Sequence, residues 1–452
     1  MTDIALIVLA AGKGTRMKSD LPKVMHRAAG RTLLGHVLSS AAALSPKRAV
    51  VVVGPDMDAV GLEAQRYFPG CNVVVQEERR GTAHAVSVAK AGLDGFSGTI
   101  LVLYADVPLI QETSLTSLSG ALGKKTPLAV LGFEAANPRG YGRLLKARNG
   151  SIRAIREELD ASPQERKIRL CNSGILSVNS SALWKLLPQI KDTNAKREFY
   201  LTDLVELAAK ARLQVGLVTC AEAEVAGVND RVQLAAIEAE LQAQYRRAAM
   251  LGGATLVAPE TVYFSADTRT GTDVVIEPNV FFGPGVTVGD HVHILANSHL
   301  EGASIGSDAR IGPFARLRPG ADIGEGAHIG NFVEVKKAVI GRGAKANHLT
   351  YIGDAKVGAG SNIGAGTITC NYDGFEKHLT DIGSGVFVGS NTALVAPVKV
   401  GDGANIAAGS VITQDVPADA LAISRSVLQV RQGWASRYRK MKQSRKAAKA
   451  KV

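Results

Sequence analysis

The stretch that decides the fold runs from Ile305 to Val335 and reads IGSDARIGPFARLRPGADIGEGAHIGNFVEV. An aliphatic residue returns at every sixth position, and the same step continues on both sides of the stretch. It is kept by Ile276, Phe282, Val288, Ile294, Ile305, Ile311, Leu317, Ile323, Ile329, Val335, Ile382, Val388, Leu394, Val400, Ile406 and Ile412. A six-residue period is typical of hexapeptide repeats wound into a parallel β-helix. Three hexads would make one coil, so residues eighteen apart should stack. The glycine that often follows the aliphatic residue is expected to turn a corner with an unusual backbone conformation.

The repeat fails at three places after Val335, and these places indicate a candidate site. The step shortens to five between Val335 and Ile340 and between Ile352 and Val357, and an insertion from Cys370 to Asp381 interrupts it. Scaffolds carry function where their regularity breaks. Basic, amide and aromatic side chains lie beside the breaks, namely Arg318, Lys336, His348, Tyr351, Asn362, Asn371, Tyr372 and Lys377.

The other end of the chain begins with a different pattern. Ile4 to Leu9 is a continuous apolar run, as in a buried parallel strand, and a Gly-rich segment with Gly12, Gly14 and Arg16 follows it. Such a loop lets backbone N–H groups approach phosphate oxygens, and nearby cations offset the charge. The loop is neither a Walker A motif nor G-x-G-x-x-G, because Met17 stands at the third glycine's place.

Further apolar runs alternate with helical stretches and predict an α/β domain with a mostly parallel sheet. The clearest predicted strands are Ala49 to Val53, Asn72 to Val75, Thr99 to Tyr104 and Leu128 to Phe133. Ligands bind at the carboxyl ends of such strands. Asp106 follows one of these ends, where a carboxylate suits Mg²⁺ that bridges phosphate oxygens. Asn229 is expected to open a long helix that ends at Gly252 and Gly253.

Composition and charge narrow the classes of protein. The 452 residues are 46% hydrophobic and 21% charged, as in a soluble globular protein of two or three domains. The first eleven residues carry Asp3 and lack a basic start, so they predict a strand rather than a signal peptide, and no run has membrane-spanning length. The four cysteines lie far apart, which argues against structural zinc and fits reduced thiols in a cytoplasm.

The formal net charge of +12 is concentrated at the carboxyl end. Nine Lys or Arg and no acid lie between Arg431 and Lys451, which leaves +3 for everything before. A solvated, partly disordered tail explains this better than a nucleic-acid-binding face, because no RRM, KH or zinc-finger pattern accompanies it. We therefore expect neither nucleic acid nor membrane as a partner.

Leu9 to Lys23, LAAGKGTRMKSDLPK, resembles the signature of the sugar-phosphate nucleotidyltransferases, which join a nucleoside triphosphate to a sugar 1-phosphate. The resemblance implies that Arg16 and Lys23 bind the triphosphate and help pyrophosphate to leave, and that Asp106 and Asn229 hold Mg²⁺. Ala105 stands where this family usually has Gly. The resemblance further implies that UTP and the UDP-sugar contact Leu9, Gly12, Gly14, Lys23, Gln76, Gly81, Thr82, Tyr104, Gly140, Glu157, Asn172 and Asn229.

The repeat region resembles the left-handed hexapeptide acyltransferases, from which the left hand of the helix is inferred. The resemblance implies that His348 is the general base of acetyl transfer from acetyl-CoA; neutral imidazole suits such a step. Arg318, Lys336, Tyr351, Asn362 and Lys377 would then hold the amino-sugar phosphate. The acetyl-CoA contacts would be Ala365, Asn371, Tyr372, Ser390, Ala408 and Arg425. Members of this family pack as homotrimers, so a homotrimer is expected.

Together the two resemblances predict a bifunctional cytoplasmic enzyme that acetylates glucosamine 1-phosphate and then couples the product to UTP, making UDP-N-acetylglucosamine. The predicted domains are residues 1–228 for uridylyl transfer, a helical arm at 229–252, the β-helix at 253–428 and the basic tail at 429–452. Two alternatives remain open. The β-helix could serve only assembly in a single-activity nucleotidyltransferase, or the chain could be a basic nucleic-acid-binding or regulatory protein.

Overall fold

The computed structural model describes residues 3–147 and 150–449. Residues 1, 2, 148, 149 and 450–452, which fall within the predicted first domain and tail, lie outside the described residues. The chain divides into two compact units, the first formed by Met1–Ala248 with Tyr263–Asp267 and the second by Ala249–Val262 with Thr268–Val452. In the part of the chain that the structure describes, no helix has the length and apolar character needed to cross a membrane.

The first unit is built around one sheet. From edge to edge the strands are Val215–Thr219, Leu128–Glu134, Leu170–Asn179, Thr99–Tyr104, Ile4–Leu9, Arg48–Val53 and Asn72–Val75. Neighbours run parallel except for Leu170–Asn179, which is antiparallel to the strands on both its sides. Four shorter strands complete the unit, Arg27–Ala28, Arg31–Thr32, Arg143–Lys146 and Ile152–Arg156. The predicted α/β sheet is confirmed, with one antiparallel strand inside it.

Both faces of this sheet are covered, which explains the continuous apolar runs in the sequence. Leu6 and Val8 belong to a buried cluster on one face, and Ala5 and Ile7 belong to a cluster on the other. The α-helices of the unit are Leu33–Ala42, Asp58–Tyr67, Thr82–Val88, Glu112–Gly120, Ser180–Leu186, Asp203–Lys210 and Arg231–Leu251. Short 3₁₀ turns are Thr15–Met17, Lys23–Met25, Ala89–Leu93, Glu165–Lys167, Leu187–Gln189 and Glu222–Val225.

The start of the long helix differs from the prediction. The helix spans Arg231–Leu251, and its cap is Asp230, whose Oδ1 accepts a 2.9 Å hydrogen bond from the backbone N of Gln233. The Gln233 side chain in turn accepts from the backbone N of Asn229 at 2.7 Å. Asp230 is therefore the N-cap, while the Gln233 side chain binds the backbone of the residue before the cap, and both bonds leave the Asn229 side chain available elsewhere. Val232, an apolar residue in the first turn of this helix, is 80% exposed.

The second unit is a parallel β-helix, as predicted. Its strands are Thr255–Leu256, Arg269–Thr270, Val275–Ile276, Phe281–Phe282, Thr287–Val288, His293–Ile294, His299–Leu300, Ala303–Ile305, Arg310–Ile311, Arg316–Leu317, Ala321–Ile323, His328–Asn331, Glu334–Ile340, Lys345–His348, Tyr351–Val357, Asn362–Ile363, Ile368–Cys370, Thr380–Ile382, Phe387–Val388, Ala393–Val395, Val398–Val400, Asn405–Ile406, Val411–Ile412 and Leu421–Ala422, with a 3₁₀ turn at Pro259–Thr261. Each pairs in parallel with the strand one coil away. The repeat aliphatics point inward and are buried.

The register confirms the predicted stacking and shows how the coils absorb the irregularities. Ile305 pairs with Ile323, Ile311 with Ile329 and Ile382 with Val400, all eighteen apart. At the five-residue steps the partners are one residue closer, as for Val335 and Ile352. The insertion lies between the strands Ile368–Cys370 and Thr380–Ile382, so the inward stack continues on either side of it.

The role predicted for the repeat glycines is wrong at most positions. Gly312 does have a left-handed backbone, with φ 98°, but Gly306, Gly324 and Gly341 do not. These three are needed for space instead. A Cβ on each would lie 2.6–2.8 Å from a backbone atom of the next coil. Glycine therefore allows the close approach of successive coils.

The basic tail was expected to be partly disordered, but the structure places a helix at Trp434–Lys449. Its Trp434 and Tyr438 rings stack one turn apart, with centroids 4.9 Å apart. Lys, Arg, Met, Gln and Ala, which dominate this segment, are among the stronger helix formers. The helix is solvated where its exposure is described, as the prediction for the tail requires.

Candidate functional site

A pocket of about 270 Å³ opens at the carboxyl ends of the central strands of the first unit. It lies where the strand Ile4–Leu9 passes into the Gly-rich loop, beside the end of Thr99–Tyr104. The residues predicted for the nucleotide that line it are Leu9, Gly12, Lys23, Gln76, Gly81, Thr82, Tyr104 and Asp106. The sequence prediction missed Arg79 and Glu198, which also line it. Arg79 is tied to the Gly-rich segment, since its Nε donates a 2.6 Å hydrogen bond to the Ala11 carbonyl.

The cations and the predicted metal ligands meet beside this pocket. The Lys23 ammonium contacts the Asp106 carboxylate and lies 3.4 Å from Oδ1 of Asn229. Nη2 of Arg16 donates a 2.9 Å hydrogen bond to the same Asn229 oxygen. Gly14 permits this approach, because a Cβ on it would lie 2.5 Å from Cβ of Lys23. Residues more than 200 positions apart thus converge on one charged cluster.

One oxygen of Asp106 and one of Asn229 both face the Lys23 ammonium nitrogen, and these two oxygen donors fit a hard cation such as Mg²⁺. Among the described residues, no group of three or more His, Cys, Asp or Glu side chains could hold a metal ion. A magnesium ion at this place would therefore depend on ligands from the substrate and water for most of its coordination.

The far wall of the pocket is formed by a loop held in one conformation. Gln76 is buried, and its Nε2 donates to the Gly81 carbonyl at 3.2 Å and to Nδ1 of His84 at 3.1 Å. Gly81 has φ 115°, and a Cβ there would lie 2.5 Å from the Phe199 carbonyl oxygen. The Thr82 hydroxyl accepts from the backbone N of Leu201 at 2.9 Å. The amide of Gln76 is consequently presented in a fixed orientation, as reading of a base requires.

A second pocket of about 330 Å³ adjoins the first and shares Thr82, Tyr104 and Glu198 with it. The predicted sugar-binding residues Gly140, Glu157 and Asn172 all line it, together with Tyr200. Asn172 lies at a bulge in the strand Leu170–Asn179, where the pairing register shifts before Leu176. The bulge turns a polar side chain into the pocket.

Burial perturbs two acidic groups of this second pocket. It raises the pKa of the Glu157 carboxyl, which also accepts a 3.2 Å hydrogen bond from the Thr202 hydroxyl. Burial likewise raises the pKa of the Tyr104 hydroxyl. A half-buried carboxyl and a neutral phenol can hydrogen-bond sugar hydroxyls or an amide, and perturbed groups in a cleft mark a candidate site.

In the second unit, five predicted or neighbouring positions form one column along a corner of the β-helix. Asn331 pairs with His348. Extending the registers of the next strand pairs places Ala365, Ser390 and Ala408 at the following three positions of the same column. Three of the residues predicted for acetyl-CoA thus line up beneath the predicted base, whereas Asn371 and Tyr372 lie in the insertion. Arg425 joins them, because its Nη1 donates a 2.7 Å hydrogen bond to the Ala408 carbonyl.

His348 is exposed and oriented by a partner that the sequence reasoning missed. Its Nδ1 lies 2.7 Å from Oδ1 of Asn331, an acceptor, so Nδ1 carries the proton. The lone pair of Nε2 is then free to accept a proton from a substrate. Thr350 holds the adjoining backbone, since its hydroxyl donates to the His348 carbonyl at 2.7 Å. Counting one coil back from His348 would have identified Asn331.

The predicted phosphate-binding cations also come together. Contact with the ammonium of Lys377 lowers the pKa of Lys336, and Arg318 contributes in the same direction. Arg318 is held by Glu334 at 2.7 Å, a partner the sequence did not indicate. Tyr351 lies close enough to interact with Arg318 electrostatically. Two ammonium groups in contact favour an anion between them.

The insertion forms an ordered loop that carries Lys377. Tyr372 and Lys377 pair as an isolated antiparallel bridge, and the Tyr372 hydroxyl donates to the Gly374 carbonyl at 2.6 Å. Asn371 is buried and its amide contacts the Asp354 carboxylate. Asn362, by contrast, is placed by its strand, which pairs with the strands at Lys345 and Phe387.

Comparison with known proteins agrees with both units. A family model described as the MobA-like NTP transferase domain matches residues 6–171, and a bacterial transferase hexapeptide model, with six repeats, matches residues 302–337 and 380–414. Among curated relatives, the bifunctional protein GlmU of Azorhizobium caulinodans is 55% identical over 96% of this chain and 97% of its own length. Those of Paramagnetospirillum magneticum and Xanthobacter autotrophicus are each 54% identical, over 99% and 96% of this chain and 99% and 97% of their own lengths.

Proposed function

Because the chain belongs to the family of bifunctional GlmU proteins, we propose that it makes UDP-N-acetylglucosamine by two transfers at two separate sites. The second unit moves the acetyl group of acetyl-CoA to glucosamine 1-phosphate. The first unit joins the product, N-acetylglucosamine 1-phosphate, to UTP and releases pyrophosphate. The observation that supports the proposal best is that each unit brings predicted residues into one cluster, around Lys23 and Asp106 in the first unit and around His348 in the second.

In the acetyl transfer, the sugar amine attacks the carbonyl carbon of the thioester. Nε2 of His348 takes a proton from the nitrogen as the new C–N bond forms. The C–S bond then breaks, and the imidazolium returns the proton to the departing sulfur, so CoA leaves as the thiol. Asn331 keeps the imidazole in the tautomer that can accept this proton. Lys336 and Lys377 hold the sugar phosphate. Ala365, Ser390, Ala408 and Arg425 hold acetyl-CoA along the column below His348.

In the uridylyl transfer, a phosphate oxygen of the sugar attacks the α-phosphorus of UTP, and the bond to pyrophosphate breaks. Arg16 and Lys23 offset the charge that develops on the phosphates. Asp106 and Asn229 are the residues that would hold Mg²⁺, which supplies further charge stabilisation when it is bound. The fixed amide of Gln76 reads the uracil, and Glu157 and Asn172 hold the sugar.

Two substitutions test the assignment of two sites. His348→Ala should abolish release of free thiol from acetyl-CoA and glucosamine 1-phosphate, and it should leave pyrophosphate release from UTP and N-acetylglucosamine 1-phosphate intact. Asp106→Ala should have the opposite effect. Each variant is the folding control for the other. Loss of both signals in a well-folded variant would contradict the assignment, and absence of thiol release from the wild type would favour the single-activity alternative.

The proposal includes a homotrimer formed through the β-helix. Phe314, Phe332 and Leu349 occupy successive coils at one corner, and each is about half exposed or more. All three have a positive φ, which is costly for bulky residues. Exposed apolar side chains held in this way suit a surface buried against other copies of the chain. Sedimentation that showed an active monomer would exclude the trimer.

UTP and acetyl-CoA are also cytoplasmic metabolites, so a cytoplasmic location is part of the proposal.

A further inference from the structure

A third pocket of the first unit, with a volume of about 290 Å³, has no part in the two transfers. It lies on another side of the helix Thr82–Val88 from the nucleotide pocket. Thr82 and Ala85 line the nucleotide pocket, whereas Ala83 and His84 line the third pocket. We call it the aromatic pocket, because Trp184 and Phe199 form part of its wall together with Leu187 and Ile190.

The rim of the aromatic pocket is basic. Lys90 Nζ lies 5.8 Å from the centroid of the Trp184 ring, and Cζ of Arg80 lies 4.9 Å from that of Phe199. None of the described residues that line the pocket is acidic. The carboxylate nearest to Arg80 is Glu78, at 4.0 Å, and both side chains are more than half exposed, so the pairing is weak. Aromatic walls with a cationic rim suit a flat aromatic ligand that carries a negative charge.

The same residues are connected to the nucleotide pocket by hydrogen bonds. His84 accepts at Nδ1 from the amide of Gln76, which lines the nucleotide pocket. The backbone of Phe199 pairs with the loop before the helix, since its N donates to the Arg80 carbonyl at 2.8 Å and its carbonyl accepts from the N of Ala83 at 2.9 Å. A ligand that moved His84 or Phe199 would therefore change the orientation of Gln76.

We propose that the aromatic pocket is a regulatory site for a small aromatic anion, and that its occupation weakens the binding of UTP. The claim about binding stands on the pocket alone. The claim about UTP rests on the proposed function, because it needs Gln76 to contact the uracil. By thermodynamic linkage, UTP must weaken the binding of the anion by the same factor.

The chain offers a selective optical probe of this pocket. It contains two tryptophans, Trp184 and Trp434, so Trp434→Phe leaves only Trp184. In that background, 8-anilinonaphthalene-1-sulfonate should quench the Trp184 emission with a saturable curve. The neutral N-phenyl-1-naphthylamine should bind more weakly. Arg80→Gln with Lys90→Gln should raise the dissociation constant of the sulfonate about tenfold, because both cations are removed. Lys185→Gln, an exposed cation next to Trp184 that does not line the pocket, should leave it unchanged.

The coupling is measured as the KM for UTP in pyrophosphate release, which should rise with the sulfonate while thiol release stays constant. His84→Ala should reduce this rise. Unchanged affinity in the Arg80 and Lys90 double variant, or full competitive displacement of the sulfonate by UTP, would overturn the site. A constant KM would overturn the regulation. Normal quenching in a protein without any uridylyl transfer would refute the proposed function and leave the binding site standing.

Discussion

The hydrogen bond between Asn331 and His348 gives the sharpest prediction for acetyl transfer. Oδ1 of Asn331 accepts from Nδ1 of His348 at 2.7 Å, so it sets the tautomer that leaves Nε2 free. Asn331→Asp keeps an acceptor at the same place and adds a negative charge. That charge favours the protonated imidazole, which cannot act as the base. The acid limb of the pH–rate profile should therefore move to higher pH.

The size of the shift follows from the distance. Two unit charges 2.7 Å apart interact by about 1.5 kcal/mol at the dielectric constant of water, which suits an exposed pair. Since about 1.4 kcal/mol corresponds to one pH unit, the limb should move by about one unit. On that limb the rate should fall about tenfold. Asn331→Ala removes the acceptor without adding charge, so its rate should fall about fivefold with no movement of the limb.

The assay is free thiol released from acetyl-CoA and glucosamine 1-phosphate between pH 5.5 and 8.5, with pyrophosphate release followed in parallel. Asn405→Asp, which adds the same charge at an exposed position on a distant strand, is the matched control and should give the wild-type profile. If Asn331→Asp and Asn405→Asp give the same profile, the idea that Asn331 orients the base is wrong.

Three further predictions concern the other clusters. Lys336→Gln should raise the KM for glucosamine 1-phosphate about tenfold and reduce the salt dependence of that KM. Lys356→Gln, which changes an exposed lysine on a nearby strand, should leave the KM unchanged. Equal KM values in the two variants would remove Lys336 from the phosphate site. Gly81→Ala should lower the free energy of unfolding in urea by about 2 kcal/mol more than Gly70→Ala does. Both glycines have a positive φ, but only at Gly81 would the new Cβ meet a carbonyl oxygen, at 2.5 Å, so equal losses would contradict this reason. Burial raises the pKa of the Asp203 carboxyl to about 6, so the contribution of this residue to stability is present below its unfolded pKa of 3.8 and is lost as the pH rises through 6. The urea midpoint of Asp203→Asn should therefore rise relative to that of the wild type between pH 3.8 and 6. Midpoints that stay parallel over this range would refute the raised pKa.

The elements that the sequence predicted well are those with a strong local pattern. The apolar run at Ile4–Leu9 and the run ending at Tyr104 match the observed strands, because burial on both faces of a sheet leaves an unbroken signal. The six-residue period likewise defined the β-helix, since each inward aliphatic stacks on its equivalent in the next coil. Patterns of this kind are visible in one stretch of chain.

Other features depend on partners that are remote in sequence. Asp230 rather than Asn229 caps the long helix, and both residue types are good caps, so propensity alone could not choose between them. The tertiary structure determines which residue is the cap, because Arg16 and Lys23 hydrogen-bond to the Asn229 side chain. Similarly, Arg79 is held at the nucleotide pocket by a hydrogen bond to the Ala11 carbonyl, and no local motif predicts this contact.

The insertion in the β-helix shows why an irregularity in a repeat can mark a site. A regular coil places each residue above its equivalent one coil away, so it brings together only residues that lie about one coil apart in the sequence. The loop between Cys370 and Thr380 leaves the coil and returns Lys377 to Lys336, which lies more than one coil earlier in the chain. Two ammonium groups in contact are unfavourable without an anion, so the loop forms a phosphate-binding site that the regular repeat could not form. The failure of the period is therefore the sequence signal of the site itself, and a variant that shortened this loop should keep the stacked core and lose the affinity for the sugar phosphate.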